Sequence, residues 1–263
     1  MFRGLRELGS GLLSAPADVP GFEDAFRVLR SNLTVALADM ARPSVAVTSA
    51  NAGEGKTTAC CQLGLAFAAA GQRVIVVDLD LRHPGAYRVL GGHNEFGASE
   101  VLLGHMSLQE SLQYLEPVMS PDAEAAGLYF LAAGGWVDNP ADVLAGGRTA
   151  RLLESLTAQA DIVLIDTPAV LPVADTLVIG RIASGAILVT EVGRTAMEAV
   201  EKAKDLLVRN HTRLLGVMIN KFSRRSAANS SVGFAVAGGF HRPGGMPSPD
   251  GGASSNGSAP AVV

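Results

Sequence analysis

The sequence is poor in cysteine and has no long apolar runs, and each shortage excludes a class of protein. The two cysteines, Cys60 and Cys61, are adjacent, so they form neither a CxxC redox pair nor a zinc site, and we expect small buried thiols in a reducing cytoplasm. No apolar run reaches the ~18–20 residues that a membrane span needs. The stretch from Met1 to Leu13 is too polar for a secretory signal. We therefore expect a cytoplasmic protein whose contact with a membrane is peripheral.

Charge is also scarce. Charged residues make up 17% of the 263 residues, the formal net charge is −4 and the sequence pI is about 5.7. A nucleic-acid-binding domain usually needs a strongly basic face, so nucleic acid is not expected as a partner. Hydrophobic residues make up 48% of the chain, which is enough for the core of one large α/β domain or of two small ones.

A glycine-rich loop lies between an apolar β-branched run that starts at Val45 and a helix-prone segment, 59–70. This order of strand, tight loop and helix predicts a phosphate-binding loop. Gly53 and Gly55 can take the positive φ angles that turn successive backbone N–H groups toward one anion. Lys56 supplies a compact charge for the β- and γ-phosphates, and the hydroxyl of Thr57 is placed to hold Mg²⁺.

Two later apolar runs end in aspartate. The continuous apolar strand 73–77 runs into Asp78 and Asp80, and the strand 161–165 ends at Asp166 in the manner of a Walker B element. Strand-end acids can also be simple caps or turn residues. Their position after a phosphate loop, at the carboxyl ends of buried strands where open α/β sheets bind ligands, favours a ligand site.

The rest of the chain alternates between helical and strand-like segments, which predicts a doubly wound α/β domain with a mostly parallel sheet over 21–222. Residues 1–20 form a leader that is either a short amphipathic helix or frayed. Residues 223–263 are rich in Gly, Ser, Ala and Pro, which predicts a disordered tail. The predicted helices are 22–40, 59–70, 97–104, 107–115, 148–158, 173–183 and 196–207, and the further strands are 128–132, 186–190 and 214–219.

The first of these helices carries Asp24, Arg27 and Arg30 at three-residue steps along one flank. One interpretation is an ordinary solvated face. The other is a contact between subunits, in which Asp24 of one chain meets arginines of another.

Together these motifs closely resemble those of the bacterial tyrosine kinases of capsule and exopolysaccharide assembly, which are P-loop NTPases of the deviant Walker A type. The resemblance runs from about Asp24 to Asn220, and the second acidic motif with its trailing Arg and Pro is its most specific part. The segments that carry it are 26–33, 50–57, 77–84, 139–142 and 165–175.

The resemblance implies ATP and Mg²⁺ as cofactors and a role for each site residue. Lys56 and the loop amides would hold the phosphates, and Asp78 would orient the attacking tyrosine hydroxyl and accept its proton late. Asn220 would contact adenine. The implied catalytic residues are Lys56, Asp78, Asp80 and Asp166. The implied magnesium ligands are Thr57, Asp80 and Asp166, direct or through water. The implied nucleotide-binding residues are Ala52, Gly53, Glu54, Gly55, Lys56, Thr57, Thr58 and Asn220.

The resemblance also implies assembly into a ring-like homo-oligomer through the Asp24, Arg27 and Arg30 helix. It implies a membrane-embedded polysaccharide co-polymerase, encoded as a separate chain, that recruits and activates the enzyme at the inner face of the membrane. Related cell-division and partitioning ATPases carry a signature lysine where Asn51 stands here, which argues against their dimer switch. Related iron–sulfur carrier ATPases use a CxxC motif, which this sequence lacks.

Two departures from the family concern assembly and autophosphorylation. Asp24 replaces a glutamate of longer reach, and the C-terminal tyrosine cluster is missing, since the tyrosines are Tyr87, Tyr114 and Tyr129. Tyr129 falls in a predicted strand and Tyr114 on a predicted helix, where both would pack, so Tyr87 is the plausible local acceptor. The sequence therefore favours a protein-tyrosine kinase that regulates polysaccharide polymerisation and export. The alternatives are an ATPase that acts as a nucleotide-dependent scaffold, and a degraded regulator that binds ATP without turnover.

Overall fold

The structure, a computed structural model, describes residues 22–115 and 127–221, and the leader and tail predicted at the two ends lie outside these ranges. The strands are β1 (Ser44–Ser49), β2 (Arg73–Asp78), β3 (Leu112–Leu115), β4 (Gly127–Leu131), β5 (Ile162–Asp166), β6 (Gly185–Glu191) and β7 (Leu214–Asn220). The helices are α1 (Phe22–Ala36), α2 (Lys56–Ala68), α3 (Ala86–Leu90), α4 (Ala98–Leu103), α5 (Leu108–Ser111), α6 (Pro140–Ala145), α7 (Gly147–Thr157), α8 (Asp175–Ile182) and α9 (Met197–Arg209).

The described strands form one sheet in the order β3-β4-β2-β5-β1-β6-β7. Each neighbouring pair is parallel except β3 with β4, which is antiparallel. The doubly wound, mostly parallel α/β fold predicted from the sequence is therefore confirmed. In this order β1, β5 and β2 lie side by side, so the phosphate loop after β1 and the acids after β2 and β5 share one edge of the sheet.

Both faces of the sheet are covered, which explains why its central strands are apolar without alternation. Val74 and Val76 of β2 pack with α1 and α2, through side chains such as Leu33 and Phe67. The intervening Ile75 and Val77 belong to the core on the opposite face, formed with α4, α6, α7 and α8. Successive side chains of a strand point to opposite faces, so both layers fix the register of β2. Among the described residues, no helix is both long and apolar enough to cross a bilayer.

The prediction of a helix over 107–115 was wrong in its second half. Ser107 and Glu110 form a capping box that starts α5, but the helix ends at Ser111. Leu112–Leu115 then pairs with β4 as the antiparallel edge strand β3, with Tyr114 opposite Tyr129. The open edge of β4 offers a ladder of backbone partners, and this tertiary pairing outweighs the local helical pattern.

The adjacent cysteines are both buried and free, as the sequence predicted. Burial, followed by the charge of Asp166, raises the pKa of the thiols of Cys60 and Cys61 well above the ordinary value. Both side chains therefore stay protonated and pack as small apolar groups on α2.

Candidate nucleotide site

Three neighbouring strands end at one point of the sheet edge. Asp78, the last residue of β2, is the register partner of Asp166, the last residue of β5. Asp166 is in turn paired with Val47 of β1, two residues before that strand ends at Ser49. The phosphate loop and both acidic strand ends are thus brought together, as the sequence predicted.

The two glycines of the phosphate loop have the positive φ angles that the sequence predicted. Gly53 has φ of +84° and Gly55 has φ of +92°, and α2 begins at Lys56 directly afterwards. The φ angle at Gly55 favours glycine, and a Cβ there would also displace the side-chain amide of Asn220. This conformation places the positive end of α2 at the loop, as anion binding requires.

Glu54 faces the protein and not the ligand space. Its side chain is buried, and its carboxylate accepts hydrogen bonds from the backbone N (3.1 Å) and Nδ2 (3.2 Å) of Asn51. Oγ1 of Thr195, in the loop between β6 and α9, donates to Glu54 Oε1 at 2.7 Å. Thr195 lies 141 residues away in sequence, and no local motif predicts this contact. Glu54 therefore braces the loop.

Lys56 lies among the acids. Its Nζ donates to Asp80 Oδ2 at 2.8 Å and to Thr57 Oγ1 at 3.3 Å. Burial acts to lower the pKa of Lys56, but the carboxylates of Asp166, Asp80 and Asp78 outweigh it and raise that pKa. The ammonium is therefore firmly charged and is the counter-charge shared by the three acids.

The carboxylate of Asp78 is fully buried and hydrogen-bonded to backbone. Its Oδ1 accepts from the N–H of Asp80 at 3.0 Å, and its Oδ2 accepts from the N–H groups of Gly85 (3.0 Å) and Ala86 (3.1 Å). Burial raises the pKa of Asp78 to about 6, against the lowering effect of these amides. Asp78 thus shapes the loop between β2 and α3.

Asp166 is equally buried, but neither of its oxygens makes a hydrogen bond of good geometry to the described residues, and the nearest polar groups are the ammonium of Lys56 and the hydroxyl of Thr57. Burial raises its pKa to about 8, although the nearby Lys56 ammonium and the hydroxyl of Thr57 act to lower it. An unsatisfied buried carboxylate is costly and therefore rare away from sites that bind ions or do chemistry. Asp166 has the free lone pairs of a ligand-binding group.

This donor set fits Mg²⁺. The hydroxyl of Thr57 and the carboxylates of Asp80 and Asp166 are hard oxygen ligands, and all three side chains adjoin Lys56. The described residues contain no group of three or more His, Cys, Asp or Glu side chains arranged as a metal cage. Mg²⁺ in nucleotide sites takes only one or two carboxylates and completes its shell with phosphates and water, so this finding agrees with the fit.

An ion pair ties the acidic loop to α8. Nε of Arg82 lies 2.7 Å from Oδ2 of Asp175, and Nη2 lies 3.1 Å from Oδ1, which makes the pair bidentate. Asp175, the first residue of α8, is almost fully buried. The sequence drew attention to both residues, but their pairing across 93 positions was not predicted.

The end of β7 also contacts the phosphate loop. Nδ2 of Asn220 donates to the Glu54 carbonyl at 2.9 Å, and Nζ of Lys221 donates to the Gly53 carbonyl at 2.8 Å and to Glu191 at 2.9 Å. Asn220 therefore contacts the phosphate loop. Its contact with adenine stays a prediction.

The charged flank of α1 lies elsewhere. Arg27 pairs at 3.1 Å with Asp24 of the same helix, and both side chains are exposed. Arg30 donates to the carbonyl of Ala66, ten residues beyond Lys56 on α2 and so about 15 Å along that helix. The subunit contact assigned to this flank stays a prediction.

The three tyrosines differ in exposure. Tyr87, on α3, is partly buried, and its hydroxyl accepts from Nε of Arg88 at 2.9 Å. Tyr129 is partly buried on β4 beneath Arg73. Tyr114 is 53% exposed on β3, although its ring lies 5.2 Å from that of Tyr129. The prediction that Tyr114 is a helical packing residue was therefore wrong, because it belongs to an exposed edge strand.

A family model described as "ParA: NUBPL iron-transfer P-loop NTPase" matches residues 41–235. The chain is 34% identical over 205 residues to tyrosine-protein kinase YwqD of Bacillus subtilis (strain 168), covering 77% of this chain and 83% of that protein. It belongs to the bacterial tyrosine-kinase family of P-loop NTPases. A second relative of this family, the putative tyrosine-protein kinase AmsA of Erwinia amylovora, is 30% identical over 78% of this chain, which spans only 27% of the length of AmsA.

Solved structures of the tyrosine-kinase family share the fold. The kinase domain of Escherichia coli tyrosine kinase ETK superposes with a TM-score of 0.72 at 27% identity, covering 81% of this chain and 80% of that one. The chimerical protein CapA2B2 superposes with a TM-score of 0.70 at 29% identity, covering 81% and 91%. Cobyrinic acid a,c-diamide synthase from Mycobacterium smegmatis, with bound ADP and magnesium, has the same general fold (TM-score 0.56, 25% identity, covering 70% and 76%).

Proposed function

We propose that this P-loop enzyme is an ATP- and Mg²⁺-dependent protein-tyrosine kinase. The observation that carries the proposal is the buried carboxylate of Asp166 beside Lys56, at the edge where the phosphate loop and the acidic loop meet. The names of its relatives as tyrosine kinases support the choice of acceptor.

The phosphates would lie on the loop amides of residues 52–58 with Lys56 over them. Lys56 now bonds Asp80, and turning its ammonium toward the phosphates would free Asp80 for metal. Thr57, Asp80 and Asp166 would hold Mg²⁺ directly or through water. When bound, the ion neutralises charge that develops on the phosphoryl oxygens.

Asp78 would position the tyrosine hydroxyl. Three backbone amides occupy its oxygens, and an ionised carboxylate offers about four acceptor positions, which leaves room for one further donor. Even at a pKa of about 6, Asp78 is a weak base for a phenol with a pKa near ~10. Its contribution would therefore be orientation, with the proton leaving late.

We assign the enzyme to the regulation of capsule or exopolysaccharide polymerisation and export, at the inner face of the cytoplasmic membrane. A membrane-embedded co-polymerase on a separate chain would recruit and activate it, a pairing suggested by the chimerical CapA2B2 relative. Protein tyrosines would be its substrates. Copies of the chain would assemble through Asp24, Arg27 and Arg30, of which Asp24 and Arg27 are exposed on α1 and form an ion pair with each other.

The experiment is phosphotyrosine detection with labelled ATP, Mg²⁺ and a glutamate–tyrosine copolymer as acceptor. We expect label on the copolymer with the wild-type protein and its loss in Lys56→Ala and Asp78→Ala. Release of phosphate with no phosphotyrosine, from protein that turns over ATP, would contradict the kinase assignment.

One observation favours a second function, an ATPase that scaffolds the polysaccharide machinery in a nucleotide-dependent way. No tyrosine occurs among residues 130–263, so this stretch contains no acceptor for autophosphorylation. The scaffold predicts ATP hydrolysis and ATP-dependent assembly without phosphotyrosine on any acceptor. Size-exclusion chromatography with ATP and with ADP, run beside the labelling assay, separates the two functions.

A further inference from the structure

Arg194 lies beside the phosphate loop. It belongs to the loop between β6 and α9, and a Cβ placed on Gly53 would lie 4.0 Å from its Nη1. Its side chain is 68% exposed, and its ion pair with Glu191 measures 3.4 Å. The guanidinium is thus next to the loop but is neither buried nor tightly held, so it can turn toward a bound ligand.

The backbone of Arg194 is anchored to the same loop. Its neighbour Thr195 donates to Glu54 at 2.7 Å, and Thr195 Oγ1 itself accepts the backbone N–H of Glu191 at 2.9 Å. Glu54 directly follows Gly53, so the residue after Arg194 is fixed to the residue after Gly53. The position of Arg194 over the loop is therefore set by a hydrogen-bond chain and does not depend on its own side chain.

The other two cations that contact this loop among the described residues are already engaged. Lys56 lies 2.8 Å from Asp80, and Lys221 lies 2.9 Å from Glu191 and donates to the Gly53 carbonyl. The longer contact of Arg194 makes it the most easily redirected charge. A guanidinium can bind phosphate through two parallel hydrogen bonds, which a lysine cannot do.

We propose that Arg194 binds the phosphates of the nucleotide from the same chain, with Thr195 as the positioning residue that holds it over Gly53. This proposal rests on ATP as the ligand of the proposed function, but not on tyrosine as the acceptor. Arg194 would be a further catalytic residue, because it would contact the transferring or leaving phosphates.

The test is calorimetric titration of the full chain with MgATP and, separately, with adenosine. We expect Arg194→Ala to weaken MgATP binding about 10-fold or more, as the loss of a charge-assisted hydrogen bond would, and to leave adenosine binding within 2-fold (~0.4 kcal/mol). Arg194→Lys should recover part of the loss. Arg209→Ala, which removes an exposed arginine at the far end of α9, is the matched control and should bind like wild type.

The positioning role is tested with Thr195→Val and Thr195→Ser. Valine removes the hydroxyl and should reproduce much of the Arg194→Ala loss for MgATP, while serine should restore binding. Unchanged MgATP affinity in Arg194→Ala, or an equal loss for adenosine, would overturn the proposal. If the wild-type protein makes no phosphotyrosine but Arg194→Ala still loses MgATP binding selectively, the kinase assignment is refuted and the role of Arg194 stands.

Discussion

The acids at the ends of two neighbouring strands have the same burial and opposite surroundings. Asp78 of β2 accepts three backbone hydrogen bonds, whereas its register partner Asp166 of β5 accepts no backbone hydrogen bond from the described residues and has the side chains of Lys56 and Thr57 as its polar neighbours. The first carboxylate therefore builds the loop that follows it. The second receives no backbone hydrogen bond from the described residues, as expected for a carboxylate that binds a ligand.

The largest expected effect concerns Lys56, the cation that both acids share. Lys56→Met should lower ATP turnover about 100- to 1,000-fold, because the phosphates lose their buried counter-charge, and Asp80 loses its ion pair. The measurement is steady-state phosphate release with Mg²⁺. Lys202→Met, on the exposed face of α9, is the control. Turnover above a tenth of the wild-type rate would show that Asp78 and Asp166 function without the charge of Lys56.

The second prediction concerns the ion pair that links the acidic loop to α8. Arg82→Ala leaves the buried Asp175 without its bidentate partner and should destabilise the protein by about 2–3 kcal/mol, below the range for a fully buried pair because Arg82 is partly exposed. Arg27→Ala breaks an exposed pair within α1 and should change stability by no more than about 0.5 kcal/mol. Urea unfolding measures both. Equal losses would mean that the acidic loop is not held through Arg82.

The third prediction concerns how the stability of the folded protein depends on pH. Asp166 has a pKa of about 8 when folded, against an ordinary 3.8, so between these values the folded state keeps a proton that the unfolded chain has lost. Stability from this group is therefore complete below about pH 4 and is lost as pH rises toward 8. Asp78 adds a smaller loss that ends near pH 6.

We expect the ligand-free protein to lose about 1–2 kcal/mol of unfolding free energy between pH 6 and 8, since one pKa unit corresponds to about 1.4 kcal/mol. Asp166→Asn should flatten the curve in that window. A wild-type curve that rises from pH 6 to 8 would contradict the protonated state of Asp166.

The sequence predicted those parts of the site that depend on the local order of strand, loop and helix. The strand, loop and helix around Lys56 and the apolar strands ending at Asp78 and Asp166 were all predicted, because parallel β/α order fixes which strand ends meet. The contacts of Thr195 with Glu54 and of Arg82 with Asp175 were not. They join residues 141 and 93 positions apart, and side-chain pairing at that range depends on how the layers pack.

The edge strand β3 was missed for a related reason. The segment 107–115 reads as one helix locally, and only the unpaired edge of β4 makes a strand of its second half. The sequence also did not predict the different hydrogen bonding of Asp78 and Asp166, since each residue lies at the end of an apolar run. What distinguishes them is where the amides of Gly85 and Ala86 fold back.

The most direct test is the unfolding free energy of Asp166→Asn and Asp78→Asn at pH 7.5, without ligand and with MgATP. Without ligand we expect Asp166→Asn to be at least as stable as wild type, because it removes a carboxyl group whose ionisation is opposed by burial, and Asp78→Asn to lose about 1–3 kcal/mol, because a backbone donor loses its acceptor. With MgATP the wild type should gain stability and Asp166→Asn should gain clearly less. A ligand-free Asp166→Asn protein as destabilised as Asp78→Asn, with the full MgATP gain, would contradict the assignment of Asp166 as a ligand-binding acid.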